Sequence, residues 1–122
     1  MSADPVPITR HPHERISRQI SYELHYGKSE KEHDPIDLYV GNEDSVVWFC
    51  RDHKFRVLTV YPQTLKAPAR LFYRRFPEDN LDFAYHVNSG PPRPGTGDEF
   101  LYKPIFQFED GTILDPHIRT HK

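Results

Sequence analysis

A cysteine and a histidine three residues apart form one candidate metal-binding pair in this sequence. Cys50 and His53 follow the apolar run SVVWF, with two polar residues between them. A Cys-x-x-His pair can ligate zinc from a turn, but a structural zinc site needs about four such groups. The other histidines are scattered along the chain. We therefore favour a simpler interpretation, in which Cys50 is a small buried hydrophobe and His53 is a loop residue that bonds to nearby backbone.

The basic and aromatic segment RLFYRRF forms a second candidate site. It lies within residues 51–75, which contain seven bases and one acid, whereas the rest of the chain is acidic. Arg70, Arg74 and Arg75 could bind an anion, or contact phosphates while the aromatic rings stack on bases. A net charge of -2 and an isoelectric point near 6.4 oppose the binding of a polyanion. We therefore expect these charges to lie mostly on solvated strand faces, paired with acids, and we do not expect nucleic acid as the partner.

Motifs for catalysis do not occur in this sequence. Nucleophilic catalysis needs a nucleophile beside a base and an orienting third group, and no nucleophile elbow is present. The segment SGPPRPGTGDE is rich in glycine but lacks the Lys-Ser/Thr ending of a phosphate-binding loop. We expect it to form a loop at one end of the fold, where binding segments often occur. The sequence therefore predicts a protein that is not an enzyme.

The elements that must position these residues are short β-strands. Tyr, Phe and Val suit pleated surfaces, and the twelve Pro and six Gly suit turns. Period-two alternation and short apolar runs predict about seven strands, with little helix. These strands are residues 20–26, 36–40, 45–50, 54–61, 81–87, 100–108 and 113–119.

Several details of the packing follow from the same patterns. The run 45–50 is apolar on both faces and therefore predicts a central strand, with Val46, Trp48 and Cys50 as one inward row. The polar turn RDH predicts a hairpin between this strand and the next. Pro104 indicates a bulge or an edge position in its strand. RLFYRRF could form a short strand or one helical turn, packed by Leu71, Phe72 and Phe76.

The length of 122 residues corresponds to one domain. Residues 1–15 have three prolines and no periodicity, so we expect a flexible N-terminal arm before a single domain of residues 16–122. No apolar run could span a bilayer, and the N-terminus has no apolar segment typical of a secretory signal. A single Cys excludes an internal disulfide and is compatible with a reducing compartment. The sequence therefore predicts a cytoplasmic protein without a membrane partner.

The order of these features resembles that of cupredoxin-like domains. The first half of the pattern is ISYELHY, a proline before IDLYV, the turn GNED, the strand VVW and the loop RDHKF. The second half is the aromatic strand EFLYKPIF and the hairpin DGTILDPHI. The resemblance extends from Ile20 to Ile118 and implies a Greek-key β-sandwich.

The copper ligands of the blue-copper members of that family are incomplete here. Such a centre needs two His, a Cys thiolate and usually an axial Met. The resemblance places His53 at the position of the first ligand. The other ligands would lie in the loop after the aromatic strand, but LYKPIFQFEDGTILDPHI has neither Cys nor Met. The resemblance therefore implies a relative without type 1 copper. A copper or zinc site that combines His53 with His86 or His117 is an alternative.

The sequence thus predicts a small cupredoxin-like binding or interaction module, without a cofactor, for an unidentified protein or small-molecule partner. One alternative is the metal protein that uses His53. Another is a module that binds anions or nucleic acid through the segment Arg70–Arg75. Small β-sandwiches can also pair through free strand edges, so a homo-oligomer is compatible with this fold.

Overall fold

A computed structural model describes residues 18–28, 35–74, 76 and 82–122. The predicted N-terminal arm, residues 1–15, and Arg75 lie outside these ranges. The described chain contains eight strands, and a three-residue 3-10 turn, Val40–Asn42, follows the second of them. The strands are β1 (Gln19–Glu23), β2 (Ile36–Tyr39), β3 (Ser45–Phe49), β4 (Phe55–Pro62), β5 (His86–Asn88), β6 (Leu101–Phe108), β7 (Ile113–Leu114) and β8 (Ile118–His121).

The strands form two mixed sheets. The smaller sheet has the order β1-β3-β5, and the larger has the order β2-β8-β6-β4, with β7 also beside β6. The pairs β1–β3 and β2–β8 are parallel, and the other pairs are antiparallel. Trp48 of β3 packs on Phe106 of β6, with ring centroids 4.9 Å apart, so the core lies between the sheets. The predicted all-β, sandwich-like fold with little helix is confirmed.

The core is built by alternate residues of the strands, as the period-two pattern predicted. Val46 and Trp48 of β3 have no exposed surface, and Cys50 is 5% exposed. β3 is also the central strand of its sheet. From the facing sheet, the core receives Phe55 and Val57 of β4, together with alternate residues of β6 and β8. The predicted inward row of β3 is therefore confirmed.

The predicted hairpin between β3 and β4 is wrong, because the two strands belong to different sheets. Residues 50–54 cross from one sheet to the other. Cys50 N–H donates to the Tyr85 carbonyl, and Phe55 N–H donates to the Ala84 carbonyl, both at 2.9 Å. A distant segment thus takes the backbone bonds on both sides of this turn. A polar turn between two apolar strands has the same sequence signal in a hairpin and in a crossover, so long-range pairing decides between them.

Two predicted strands differ in extent from the observed ones. The prediction for residues 81–87 began at Leu81, which lies outside the described residues, but β5 covers only His86–Asn88. Ala84 instead makes an isolated bridge to β4. Because the chain passes here from one sheet to the other, it cannot form one continuous ladder. The predicted strand 113–119 is split into β7 and β8 around its proline.

Pro104 lies in an interior strand rather than at an edge. Phe108 N–H donates to the Thr112 carbonyl on the β7 side, and alternate residues of a strand face the same neighbour, so Pro104 faces that side too. β6 pairs with β8 at its start and with β7 near its end. The missing N–H of Pro104 therefore faces the gap between them. The expected irregularity occurs in the partner strand β4, where the register shifts between Val57 and Thr59.

Candidate functional site

His53 lies at one end of the sandwich, on the loop that connects the sheets. Its exposed ring stacks on Tyr26, with centroids 3.9 Å apart and planes inclined by 10°. The Phe108 ring is nearly perpendicular to both rings, with its centroid 5.0 Å from that of Tyr26 and 6.2 Å from that of His53. Among the described residues His53 has no hydrogen-bond partner, so the ring stack takes the place of the predicted backbone bond.

The hairpin turn after β6 closes the same end of the fold. Gly111 adopts a φ of 93°, as expected for the Asp-Gly turn that the sequence indicated. The Tyr26 hydroxyl donates to the Asp110 carboxylate, and Thr112 N–H donates to the same side chain at 2.9 Å. These hydrogen bonds, chiefly the one from Tyr26, lower the pKa of Asp110 to about 2. These bonds link the hairpin turn to Tyr26, whose ring stacks on His53.

The other metal candidates are dispersed over different strands. His86 is exposed in β5, where it pairs with Phe49. His117 is half-buried between β7 and β8, and its carbonyl accepts from Ile36 N–H at 3.0 Å. In the part of the chain that the structure describes, no three His, Cys, Asp or Glu side chains form a group that could hold a metal ion. The histidine site stays a prediction.

The opposite end of the sandwich carries a groove, made of three adjoining depressions of about 490, 390 and 410 Å³. The first two share Val40 and Gly41, and the last two share Gly97, Asp98 and Lys122. The depressions therefore adjoin one another along the surface. We call this surface the end groove; its other lining residues are Glu43, Tyr73, Pro91, Pro92, Pro94, Gly95, Glu99 and His121.

One wall of the end groove is the proline- and glycine-rich loop, which lies at an end of the fold as the sequence predicted. Arg93 N–H donates to the Leu71 carbonyl at 2.7 Å, and Tyr73 N–H donates to the Pro91 carbonyl at 3.1 Å. These two bonds join the loop to RLFYRRF. Among the described residues of that segment, Phe72 is the only one that forms a bridge, and the predicted apolar anchors are buried: Leu71, Phe72 and Phe76.

The opposite wall is the 3-10 turn after β2, which Asp44 holds in place. The Asp44 carboxylate is fully buried and accepts hydrogen bonds from Tyr39 N–H at 2.8 Å and from Arg18 Nε at 2.7 Å. A second guanidinium nitrogen of Arg18 lies 2.5 Å from the carboxylate. Burial would raise the pKa of Asp44, but these hydrogen bonds and the charge of Arg18 outweigh it and hold the pKa below its usual value.

The end of β8 closes the end groove by contacts to both walls. Lys122 Nζ lies 3.3 Å from Asp98, near the end of the proline- and glycine-rich loop. His121 stacks on Tyr39 with centroids 4.7 Å apart, and its Nε2 lies 2.9 Å from Asp37. These contacts join the end of β8 to the loop and to the strand that leads into the 3-10 turn.

Two glycines in the end groove have different steric surroundings. A Cβ on Gly97 would lie 3.3 Å from Val40 Cβ, so a side chain there would push the walls apart. A Cβ on Gly41 would meet only the Lys122 carbonyl carbon, at 3.8 Å, which is an ordinary contact. Gly41 thus offers a position where a side chain could fill the end groove without strain.

A basic rim borders the end groove on the side of Tyr73, whose ring is 70% exposed. Arg70 and Arg74 are exposed on either side of it along the chain, and neither forms an ion pair with another described residue. The backbone pairing with Leu71 brings Arg93 beside them. We call Arg70, Arg74 and Arg93 the basic rim.

Other bases of residues 51–75 pair with acids, as predicted, only in part. Arg51 pairs with Glu23 at 2.9 Å. Arg56 donates to Gln107 and lies over the ring of Phe83, and Lys54 lies over the ring of Tyr85. Aromatic rings therefore take the place of acids for two of these bases.

Most residues of the end groove carry no signal in the sequence that would place them there. Asp44 had a local signal, because an acidic residue in a turn of the type GNED can accept backbone bonds. Val40, Gly41 and Lys122 had none, since they are remote from the loop along the chain and lie in the groove through the parallel pairing of β2 with β8.

The fold and this surface define a small all-β protein with two mixed sheets and an open groove at one end. Comparison with protein-family models, with curated proteins and with solved structures finds no match to this chain. No helix of the described residues is long and apolar enough to cross a membrane.

Proposed function

We propose that the protein is a cupredoxin-like interaction module, without type 1 copper, that binds an extended acidic peptide of a partner protein in the end groove. The observation that carries this proposal is the exposed ring of Tyr73 beside three prolines, bordered by the basic rim. The cupredoxin-like part is supported by the order of features along the chain, with Val46 and Trp48 in a central strand and His53 in the loop after it.

The shape of the end groove favours a peptide over an enclosed small molecule. Sites for small molecules bury most of the ligand in a concave pocket. The three depressions here are instead open to solvent and adjoin one another. Extended peptides, and proline-containing ones in particular, dock in shallow grooves lined by aromatic rings. An exposed Tyr ring beside prolines offers such a surface without further rearrangement.

Charge determines the kind of peptide that fits. The basic rim adds cations next to Tyr73, where an acidic residue of the ligand would face them. The proposal is thus one case of the anion-binding alternative at Arg70–Arg75, in which the bound anion is a carboxylate of a peptide. Asp98 and Glu99 line the other depressions, and Glu43 lines the same depression as Tyr73, so the attraction is confined to the basic rim itself.

Panning of a random-peptide phage library on the immobilised protein tests this function. We expect the selected peptides to contain proline and acidic residues and to bind with an affinity that falls as salt is raised. Gly41→Phe fills the end groove, and Tyr73→Ala removes its exposed ring. Each substitution should weaken binding of the selected peptides by about tenfold or more in calorimetry.

The matched control is Leu65→Ala, which removes an apolar side chain that is 95% exposed and does not line the end groove. This variant should bind the selected peptides as the wild type does. Selected peptides that bind equally well to Gly41→Phe and Tyr73→Ala would place the binding surface elsewhere and overturn the proposal.

A further inference from the structure

The edges of the two sheets differ in how their backbone groups are protected. An exposed edge is a template for pairing with another chain, and proteins usually blunt it with bulges, prolines or covering segments. The edge strands here are β1 and β5 in the smaller sheet and β2 and β4 in the larger one. β2 and β5 are short and β4 is interrupted, whereas the outer edge of β1 is regular.

β4 is blunted along its whole length. At its start, Phe55 exchanges two backbone hydrogen bonds of 2.9 Å with Ala84, outside the ladder with β6. In its middle, the register shift between Val57 and Thr59 interrupts a regular edge. At its end stands Pro62, which has no N–H to donate.

β2 and β5 offer little edge. β2 has four residues and is preceded by Pro35, and both backbone groups of Tyr39 contact Asp44, the N–H through the carboxylate and the carbonyl through the Asp44 N–H. β5 has three residues, and the side chain of Asn88 bonds back to Gly90 N–H.

β1 has an unblunted edge of five residues. Its even-numbered residues face β3, because Arg18 O accepts from Ser45 N–H and Leu24 N–H donates to Phe49 O. The N–H and C=O groups of Gln19, Ser21 and Glu23 therefore point away from the sheet. No described strand pairs with β1 on that side, and the strand contains neither a proline nor a bulge.

We propose that this edge of β1 pairs with the same edge of a second copy of the chain, antiparallel about a two-fold axis at Ser21. The outward backbone groups have the parity that this pairing requires, since Ser21 would face Ser21 and Gln19 would face Glu23 in hydrogen-bonded pairs. About six backbone hydrogen bonds would form. The two smaller sheets would join into one continuous sheet.

The side chains of β1 are complementary to themselves in this register. On the core face, Ile20 of each copy lies opposite Tyr22 of the other, in the non-hydrogen-bonded pairs where side chains approach most closely. Both residues are half-buried at the margin of the core, so pairing would cover their remaining apolar surface. On the outer face, the Gln19 amide can donate to the Glu23 carboxylate of the other copy.

The size of this edge sets the strength of the dimer. Five residues on each side give an interface below the size that is usual for stable specific complexes. The dimer should therefore be weak and dependent on concentration. No residue that lines the end groove belongs to β1. Peptide binding and self-association are therefore separate properties, and a negative result for one does not contradict the other.

Charge substitutions at the two-fold axis test the register. Ser21 is exposed, and in the proposed dimer its side chain lies directly opposite Ser21 of the second copy. Ser21→Lys and Ser21→Glu should each weaken self-association by about fivefold, because like charges then face each other. An equimolar mixture of the two variants should associate again, with opposite charges in contact. Sedimentation equilibrium from micromolar to millimolar protein measures each case.

The matched control is Thr59→Lys, an exposed strand residue on the blunted edge of the other sheet, which should leave the wild-type association unchanged. The fluorescence of the buried Trp48 verifies that every variant is folded. A monomeric wild type throughout the concentration range would overturn the proposal. The same holds if the mixture associates no more strongly than either charged variant alone.

Discussion

The rings of Tyr26 and His53 stack with their centroids 3.9 Å apart, although each residue lies on a different connection of the fold. Through the Tyr26 hydroxyl, the stack continues to Asp110 in the hairpin turn after β6. Three segments that are distant along the chain thus meet at one end of the sandwich. This arrangement gives His53 a structural partner and makes the end of the fold sensitive to acid.

Acid should weaken this end of the fold through Asp110. Its pKa in the folded protein is about 2, below the ordinary value of 3.8. Because the folded-state pKa is the lower one, the ionised carboxylate stabilises the fold at pH values above 3.8, and this contribution is lost as the pH falls from 3.8 towards 2. Asp110→Asn should make the loss of unfolding free energy shallower in that window.

Urea denaturation at a series of pH values, followed by Trp48 fluorescence, measures this effect. Tyr26→Phe removes the main hydrogen bond to Asp110 and should act in the same direction. Glu109→Gln removes a neighbouring exposed charge of the same turn and serves as the control. Identical pH profiles for the wild type and Asp110→Asn would contradict this prediction.

Asp44 should be the carboxylate whose removal costs the most stability. In Asp44→Ala, Tyr39 N–H and the Arg18 guanidinium lose their acceptor at a fully buried position. We expect the free energy of unfolding to fall by about 2 kcal/mol, because the deleted bonds include one to a charged group. Asp37→Ala, which removes an exposed carboxylate that contacts Arg119 and His121, should cost less than about 1 kcal/mol. Equal losses from the two variants would show that burial of Asp44 has no influence.

Cys50 should react with thiol reagents only when the protein opens. Its side chain is 5% exposed at the end of the inward row of β3. A buried structural thiol is inert, since the reagent must reach the thiolate. The rate of labelling by an aromatic disulfide should therefore be slow in buffer and fast in denaturant. The destabilised Asp44→Ala variant should label faster than the wild type, and fast labelling of the native wild type would be inconsistent with this burial.

Metal titration decides the alternative at His53. If His53 binds Cu(II) or Zn(II) with a second histidine, calorimetry of the metal-free protein should show binding that is lost in His53→Ala. The second ligand is then identified with His86→Ala and His117→Ala. His121→Ala, at the opposite end of the sandwich, is the control. Binding that is unchanged in His53→Ala would remove this residue from any metal site.

The sequence by itself determined the fold class and the inward-facing rows. Val46, Trp48 and Cys50 were predicted as one buried row, and all three are buried. The Asp-Gly turn and the proline- and glycine-rich loop were also predicted, and that loop lies between β5 and β6. These features depend on local properties: a strand exposes alternate faces, and glycine and proline set the turns.

The tertiary structure decided which strands pair and which surfaces come together. The neighbouring strands β3 and β4 lie in different sheets, whereas β2 and β8, from the two ends of the domain, lie side by side. That second pairing brings Lys122 to Val40 and so forms the end groove. The period-two pattern records only which side of a strand faces the core. The partner of each strand depends on how all the buried rows fill one core, and no local stretch of sequence contains that information.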